Sequence, residues 1–184
     1  MKMNSDFYYH LLKRGWSPYI KSWVDWDQEL ITFPIYTIDG KMVGYQKYNW
    51  KEDKTRDNQA RYYTYADKAY KNCVVYGLDN CFGYGPVFIT EGIWNALRIT
   101  NCFRDSLAML CNNPSKQTKQ WLKMVYPNRT IVAICDNDEA GKLLGRSADY
   151  SFVAPIEYGD INDMSTDECM RFLENITKEI KYLS

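Results

Sequence analysis

The chain has 184 residues, of which 46% are apolar and 25% are charged. These proportions exclude a collagen-like or disordered chain, because they supply enough apolar residues for a core and enough charged residues for its surface. No apolar run approaches the roughly 18 residues that a membrane span needs, and the N-terminus has no apolar signal core. We therefore expect a cytoplasmic protein with no membrane association.

The charges of the chain balance, with 23 basic and 23 acidic residues, but they are unevenly distributed. Residues 41–71 hold eight basic and four acidic residues, whereas residues 136–168 hold nine acidic and two basic ones. A basic segment followed by an acidic one is typical of a protein that binds a polyanion and also holds divalent cations. Ordinary scatter of surface charge would give the same pattern, so the charge distribution alone does not distinguish a binding function from a solvated surface.

Two common classes of site are excluded by what the sequence lacks. The six cysteines include no C-x-x-C pair and His10 is the single histidine, so we predict reduced thiols and no structural zinc. The chain also has no G-x-x-x-x-G-K-[ST] segment to hold the phosphates of a nucleotide. An NTP-driven motor is therefore excluded.

Residues 1–82 are predicted to form a small, mostly antiparallel α+β subdomain that is basic and rich in aromatic residues. Gly15 ends the first helix, and Asp39-Gly40 predicts a two-residue hairpin turn. The predicted elements are a helix over 5–14, strands over 30–38 and 41–48, a polar loop over 50–58, and strands over 61–65 and 73–76.

Residues 83–184 are predicted to form an α/β domain that ends in a long helix. Its strands are uniformly apolar and alternate with helical segments, which indicates a parallel sheet flanked by helices. The predicted strands are 87–90, 107–110, 130–135 and 152–156, and the predicted helices are 92–100, 114–125, 139–149 and a last one that opens at Ser165.

Acidic residues follow three of these strands. Glu91 follows the first strand, Asp136 and Asp138 follow the third, and Asp160 follows the fourth. Ligands of open parallel sheets bind beyond the carboxyl ends of the strands, so we expect these side chains to gather at one edge. Clustered carboxylates favour Mg²⁺ or Mn²⁺, and two such ions would suit phosphoryl transfer.

Each acidic residue also has an ordinary explanation. Asp136 and Asp138 are typical caps for a following helix, while Glu91 or Asp160 alone would be a solvated acid. An EF-hand is excluded, because Ala140 and Ser147 fall where calcium ligands are needed. The joint occurrence after successive strands favours a metal site.

The three acidic motifs resemble those of the Toprim domain, the metal-binding fold of DnaG-type primases, topoisomerases and some nucleases. Thr90-Glu91-Gly92 resembles the glutamate motif of that family, segment 135–141 (CDNDEAG) its D-x-D-x-A-G motif, and segment 159–163 (GDIND) a third motif of its primase branch. The chain is most similar to the primase (RNA polymerase) region of phage helicase-primases, where an antiparallel basic segment also precedes the Toprim sheet. The resemblance covers about residues 30–165 and implies a Toprim-like α/β fold.

The resemblance also implies a function, that of a primase-like, metal-dependent nucleotidyltransferase. Such an enzyme would act on single-stranded DNA and nucleotides in phage DNA replication, in the cytoplasm of the host cell. Its catalytic residues would be Glu91, Asp136 and Asp138, and these three with Asp160 would bind Mg²⁺ or Mn²⁺. The basic residues expected to contact template or nucleotide are Lys47, Arg61, Lys71 and Lys142.

The sequence departs from the primase pattern in two ways. Asn95 stands where primases usually carry an aspartate, which removes one charge from the expected metal site. No zinc-binding or helicase domain is recognisable either. We therefore expect a partner, either a replicative helicase or a protein that recognises the template.

Two alternative functions stay open: a Toprim-type nuclease in which the same metals activate water, and a catalytically inactive accessory protein that binds nucleic acid. Topoisomerase activity is not expected, since the chain has little room for a strand-passage gate. The aromatic residues of the basic segment also have two interpretations, stacking on unpaired bases or cross-strand packing. They are Tyr45, Tyr48, Trp50, Tyr62, Tyr63 and Tyr65.

Overall fold

The fold is described by a computed structural model for residues 4–51, 60–70, 74–111, 113–138 and 141–183. These residues form a four-stranded antiparallel sheet followed by a four-stranded parallel sheet with helices. The elements are α1 (Ser5–Lys13), β1 (Trp23–Asp25), β2 (Leu30–Tyr36), β3 (Met42–Asn49), β4 (Tyr62–Ala66), β5 (Val87–Thr90), α2 (Ile93–Thr100), β6 (Ser106–Ala108), α3 (Lys116–Val125), β7 (Ile131–Cys135), β8 (Tyr150–Val153) and α4 (Thr166–Leu183).

The antiparallel sheet has the strand order β1-β2-β3-β4. Strand β1 was not predicted, because its three residues lie within an aromatic stretch that shows no clear alternation. The turn between β2 and β3 is longer than the predicted two residues: the N–H of Thr37 donates to the carbonyl of Lys41 at 2.9 Å across residues 38–40. Gly40 takes a left-handed φ of +81° there, which glycine adopts without a steric penalty.

Alternation along β3 sends its side chains to two faces of this sheet. Gln46 and Tyr48 are buried on the inner face, where Tyr48 belongs to a core cluster with residues of β2 and α2. Lys47 pairs with Thr32 on β2 and with Tyr63 on β4, so it lies on the outer face.

The parallel sheet has the strand order β6-β5-β7-β8, and all of its pairings are parallel. The α/β fold with helices flanking a parallel sheet is therefore confirmed. Strands β5 and β7 are central and buried at every residue, as their uniformly apolar sequences predicted. In the predicted strand 73–76, residues 74–76 show a single isolated bridge, between Tyr76 and Ala108.

The predicted helix over 139–149 is wrong in its described part, because Gly141–Ser147 forms 3₁₀ turns instead. Glycine is unfavourable within an α-helix, and this segment has Gly141 and Gly145. Residues 139 and 140 lie outside the described residues. Two helix starts also shift by a residue or two: Asn4 caps α1, and Ser115 caps α3.

Three apolar clusters form the core of the described residues. One lies between the parallel sheet and α3, and a second lies on the other face of that sheet, against α2 and α4. The third joins the antiparallel sheet to α1 and α2, where the ring of Trp94 lies 5.2 Å from the rings of both Phe33 and Tyr48. The two sheets therefore share a core through α2, and the boundary at residues 82–83 stays a prediction.

None of the helices in the described ranges is both long and apolar enough to cross a membrane.

Candidate functional site

Three of the predicted carboxylates line one pocket of about 280 Å³. Glu91 follows β5 and Asp136 follows β7, so adjacent parallel strands deliver both at the same edge of the sheet. Asp160 reaches the pocket from the segment that follows β8 and caps a short 3₁₀ turn over Ile161–Asp163. We call this site the carboxylate pocket.

The opposite wall of the carboxylate pocket comes from the antiparallel subdomain and from Trp94 on α2. Arg14, at the end of α1, stacks its guanidinium over the rings of Trp94 and Tyr48 at 5.0 and 5.6 Å. Gln46 donates from Nε2 to Oγ1 of Thr64 at 2.9 Å. The wall-lining residues are Arg14, Gln46, Tyr62, Thr64 and Trp94. A cation and several polar side chains therefore face the carboxylates.

Asp138 stands beside the pocket and is not among its lining residues. Its Oδ1 accepts the N–H of Gly141 at 2.5 Å, and its own N–H donates to the carbonyl of Asp136 at 2.9 Å. A Cβ at position 141 would lie 2.5 Å from that same carbonyl oxygen. The glycine of this motif is therefore required by the close approach of the turn to Asp136.

The carboxylates perturb one another's protonation. Burial raises the pKa of Asp136 to about 7, and the charges of Asp160, Glu91 and Asp138 add to the rise. Burial also raises the pKa of Glu91, with a further contribution from Asp138, and burial raises the pKa of Asp160. Neighbouring carboxylates repel one another when they are ionised together, and a cation bound between them offsets that repulsion.

Asn95, the departure from the primase pattern, contacts this cluster directly. It is 5% exposed on α2, and its Nδ2 donates to Oδ1 of Asp136 at 2.9 Å. This hydrogen bond favours the charged form of Asp136 and opposes the rise of its pKa. An aspartate in this place would instead set a fifth carboxylate against Asp136.

The turn that carries Asp160 is fixed by Asn162. The backbone N–H of Asn162 donates to Oδ1 of Asp160 at 2.7 Å. Its side-chain amide donates to the carbonyls of Arg14 at 3.0 Å and Trp94 at 3.1 Å. One buried side chain therefore connects residues from three elements of the pocket wall.

Of the four basic residues predicted to bind nucleic acid, none of the three that the structure describes lines the pocket. Lys47 lies on the outer face of the antiparallel sheet, and Lys71 lies outside the described residues. Arg61 is exposed just before β4. Burial raises the pKa of Tyr62, and the positive charge of Arg61 partly offsets that rise. Lys142 is exposed, and its N–H donates to the carbonyl of Asp138 at 3.4 Å.

The donor atoms of the carboxylate pocket suit a hard divalent cation, but the distances between its acidic side chains do not. Its donors are carboxylate oxygens, and their mutual repulsion is what a bound cation would relieve. Within the described part of the chain, however, no three His, Cys, Asp or Glu side chains are close enough to form a metal-binding group. Binding an ion would therefore require the carboxylates to draw together.

Sequence reasoning found the acidic wall and missed the basic and polar one. Arg14 ends an ordinary helix, and nothing in its local sequence marks it as part of a site. Gln46 did carry a signal, because it is a polar residue at a buried position of an alternating strand. Trp94 was visible three residues after Glu91, but a core position explained it equally well.

No protein-family model matches the sequence, and no curated protein matches it. The arrangement of its sheets and helices is nevertheless that of primase catalytic cores. The chain is similar to the Aquifex aeolicus primase (zinc-binding and RNA polymerase domains), with a TM-score of 0.65 and 17% identity over 96% of this chain and 49% of that one.

Two further solved structures agree with this assignment of the fold. The primase fragment of the bacteriophage T7 primase-helicase gives a TM-score of 0.59 and 14% identity over 79% of this chain and 62% of that one. A DnaG primase catalytic domain bound to single-stranded DNA gives 0.62 and 14% over 96% and 59%. This chain thus spans about half to three fifths of the length of each. At these identities the likeness establishes the fold alone.

Proposed function

We propose that the chain is a primase-type nucleotidyltransferase of the Toprim class that joins nucleotides on a single-stranded DNA template with Mg²⁺ or Mn²⁺. The observation that carries this proposal is the meeting of Glu91, Asp136 and Asp160 in one pocket, opposite Arg14. The primase-like fold supports it, since the acids follow the strands of the parallel sheet.

In this proposal the acids and the arginine have separate tasks. Asp136, Asp138 and Asp160 hold the divalent cations, and Glu91 serves as a further ligand or as a general base. When bound, the cations would neutralise charge on the phosphates and on the attacking oxygen. The guanidinium of Arg14 is placed to bind a phosphate of the incoming nucleotide, because it is the cation that lines the pocket wall among the described residues.

The template strand would pass next to the pocket. Arg61 and Lys142 are exposed near it, and the DnaG catalytic domain of similar fold was solved with single-stranded DNA. We propose that Arg61, Lys142 and Lys71 contact the backbone of the template. A replicative helicase or a template-recognition protein would deliver the strand.

The test incubates the purified chain with single-stranded DNA, labelled nucleotides and Mg²⁺ or Mn²⁺. We expect labelled oligomers to form with either metal, and none to form when EDTA is present from the start. Shortened DNA without incorporation would show a nuclease instead. Binding of DNA with neither product would show an accessory protein.

Three variants assign the activity to the pocket. Asp136→Asn and Glu91→Gln keep the shape of the side chain and remove the charge, so we expect incorporation to fall by at least a hundredfold. Glu174→Gln removes an exposed acid from α4 and should leave incorporation unchanged. Full activity in Asp136→Asn would overturn the assignment of the site.

One observation favours the accessory role as a second candidate. Asn95 already satisfies one oxygen of Asp136, and the carboxylates are too far apart in the described residues to hold an ion as they stand. An accessory protein would bind single-stranded DNA equally well in EDTA and with Glu91→Gln, and would incorporate no nucleotide with either metal.

A further inference from the structure

The outer face of the antiparallel sheet exposes aromatic side chains around a lysine. Tyr63 and Tyr65 on β4 are 55% and 51% exposed, on an edge strand whose residues 62–65 are all exposed. Tyr45 pairs with Tyr65 across β3 and β4, and Lys47 pairs with Tyr63. We call these four residues, Tyr45, Lys47, Tyr63 and Tyr65, the tyrosine face.

The tyrosine face is distinct from the carboxylate pocket. Pocket residues Gln46, Tyr62 and Thr64 occupy the alternate positions of the same two strands and point to the opposite side of the sheet. None of the core clusters in the described part of the chain includes Tyr45, Tyr63 or Tyr65. Packing of the described core therefore does not explain why three tyrosines stand on this face.

The geometry of the rings suits stacking on bases. The rings of Tyr45 and Tyr65 are stacked at 5.5 Å with an interplanar angle of 23°, so they already form an ordered aromatic surface. Side chains two residues apart on a strand are roughly 6.7 Å apart, which is about twice the ~3.4 Å rise of successive nucleotides. Tyr63 and Tyr65 are thus spaced to contact every second base of a strand with this rise.

Charge favours a nucleic acid over other occupants of this face. Lys47 lies among the tyrosines, and residues 41–71, which include both strands, hold eight basic and four acidic residues. We infer that the tyrosine face binds single-stranded DNA by base stacking on Tyr63 and Tyr65 and by a phosphate contact of Lys47. One part of this inference rests on the proposed function, namely the identity of the bound DNA strand. If the proposed function is correct, that strand is the part of the template that lies outside the carboxylate pocket.

The test measures binding of a fluorescently labelled oligothymidylate by anisotropy, with the full chain in EDTA. The absence of divalent ions keeps the carboxylate pocket from contributing through a metal. We expect Tyr63→Ala and Tyr65→Ala each to weaken binding about tenfold, the loss of one base–aromatic contact. Tyr63→Phe should bind like the parent chain, because the ring is retained.

Salt dependence separates the lysine from the tyrosines. Lys47→Met should lower the slope of log affinity against log salt by about 0.7, as expected for one phosphate contact to a single strand. The two alanine variants should weaken binding without changing that slope. Tyr84→Ala, which removes a fully exposed tyrosine elsewhere, should change neither.

Alanine variants that bind DNA as tightly as Tyr84→Ala would overturn the inference. We would expect that result if the tyrosine face bound a protein instead of DNA. The proposed function can fail separately. A chain that loses DNA affinity with Tyr63→Ala but incorporates no nucleotide supports the tyrosine face and refutes the polymerase. A chain that polymerises while its tyrosine variants bind normally does the reverse.

Discussion

Asp136 has three charged neighbours in the carboxylate cluster, since Asp160, Glu91 and Asp138 all act on it. Without divalent ions, Asp136→Asn should therefore raise the free energy of unfolding by about 1 kcal/mol at pH 8, because it removes a buried charge from a repelling cluster. Millimolar Mg²⁺ should raise the melting temperature of the parent chain and leave that of the variant unchanged. Differential scanning fluorimetry with and without EDTA measures both effects.

The control for Asp136→Asn is Glu174→Gln, which removes an exposed acid that does not line the pocket. It should keep the response to Mg²⁺ of the parent chain. A Mg²⁺ response of parental size in Asp136→Asn would place the ion elsewhere and contradict the site.

Gly141 is required by a contact and not by its own backbone angle. A Cβ at this position would meet the carbonyl oxygen of Asp136 at 2.5 Å and its nitrogen at 2.9 Å. Gly141→Ala should therefore displace Asp136, cost about 1–3 kcal/mol of stability, and reduce the melting shift by Mg²⁺. Gly85→Ala is the matched control, because a Cβ there meets nothing within 4 Å. Equal effects of the two variants would contradict this reading of Gly141.

At the scale of single residues, the acids could be predicted and the arginine could not. Glu91 and Asp136 directly follow apolar strands, so their place at a sheet edge follows from the local pattern. Arg14 reaches the pocket through contacts with residues far along the chain, such as the bond from Asn162 to its carbonyl. No local pattern contains such a contact.

Among the elements, the turn after Asp160 is joined to α1 and α2 by the side chain of Asn162. Asn162→Ala removes donors to the carbonyls of Arg14 and Trp94, two buried hydrogen bonds that together contribute about 2 kcal/mol. We expect that loss in urea unfolding, and a smaller melting shift by Mg²⁺, because the turn no longer holds Asp160 against α1 and α2.

Asn101→Ala is the matched control for this turn. Asn101 also donates its side-chain amide to a carbonyl after α1, that of Gly15 at 2.8 Å, but it does not contact the segment of Asp160. Its loss should cost stability and leave the metal response unchanged. A metal response reduced equally in both variants would mean that Asn162 has only a structural role.

The elements of the parallel sheet were predicted better than those around the site. Uniformly apolar runs bounded by polar residues mark β5 and β7, and burial on both faces explains why the sequence shows them. The segment Gly141–Ser147 was predicted as part of a helix because helical segments alternate with the apolar strands, but it forms 3₁₀ turns. The close approach of Gly141 to the backbone of Asp136 is a contact that this alternation does not reveal.

For the whole molecule, the shared core around Trp94 predicts a single unfolding transition. Trp94 is 2% exposed and packs against both Phe33 and Tyr48, so the antiparallel sheet and α2 lose their packing together. Unfolding followed by far-ultraviolet circular dichroism and by tryptophan fluorescence should give coincident midpoints. Trp94→Ala should lower the stability of the whole chain by about 3–5 kcal/mol.

A more conservative variant tests the same prediction with a smaller loss of core packing. Trp94→Phe retains an aromatic ring and should shift both midpoints together by a smaller amount. Two separated transitions, in the parent chain or in this variant, would show that residues 1–82 and 83–184 fold independently.

At this scale the sequence predicts two sheets but not how they face each other. The pocket needs Gln46, Tyr62 and Thr64 from the first sheet and Glu91 and Asp136 from the second. Alternation within β3 separates Gln46 from Lys47, but which face meets the parallel sheet depends on packing between the subdomains. Lys47 was predicted to contact template or nucleotide with no face assigned to it, and the structure places it on the outer face, away from the pocket.

The amide of Asn95 also bears on the order in which the molecule assembles. By donating a hydrogen bond to Asp136, it offsets within the chain part of the charge that an ion would otherwise neutralise. If the proposed function is correct, newly made protein would complete its fold without divalent ions and bind them afterwards. Asn95→Asp should reverse that order, so that refolding from urea gives a low yield in EDTA and recovers when Mg²⁺ is present from the start.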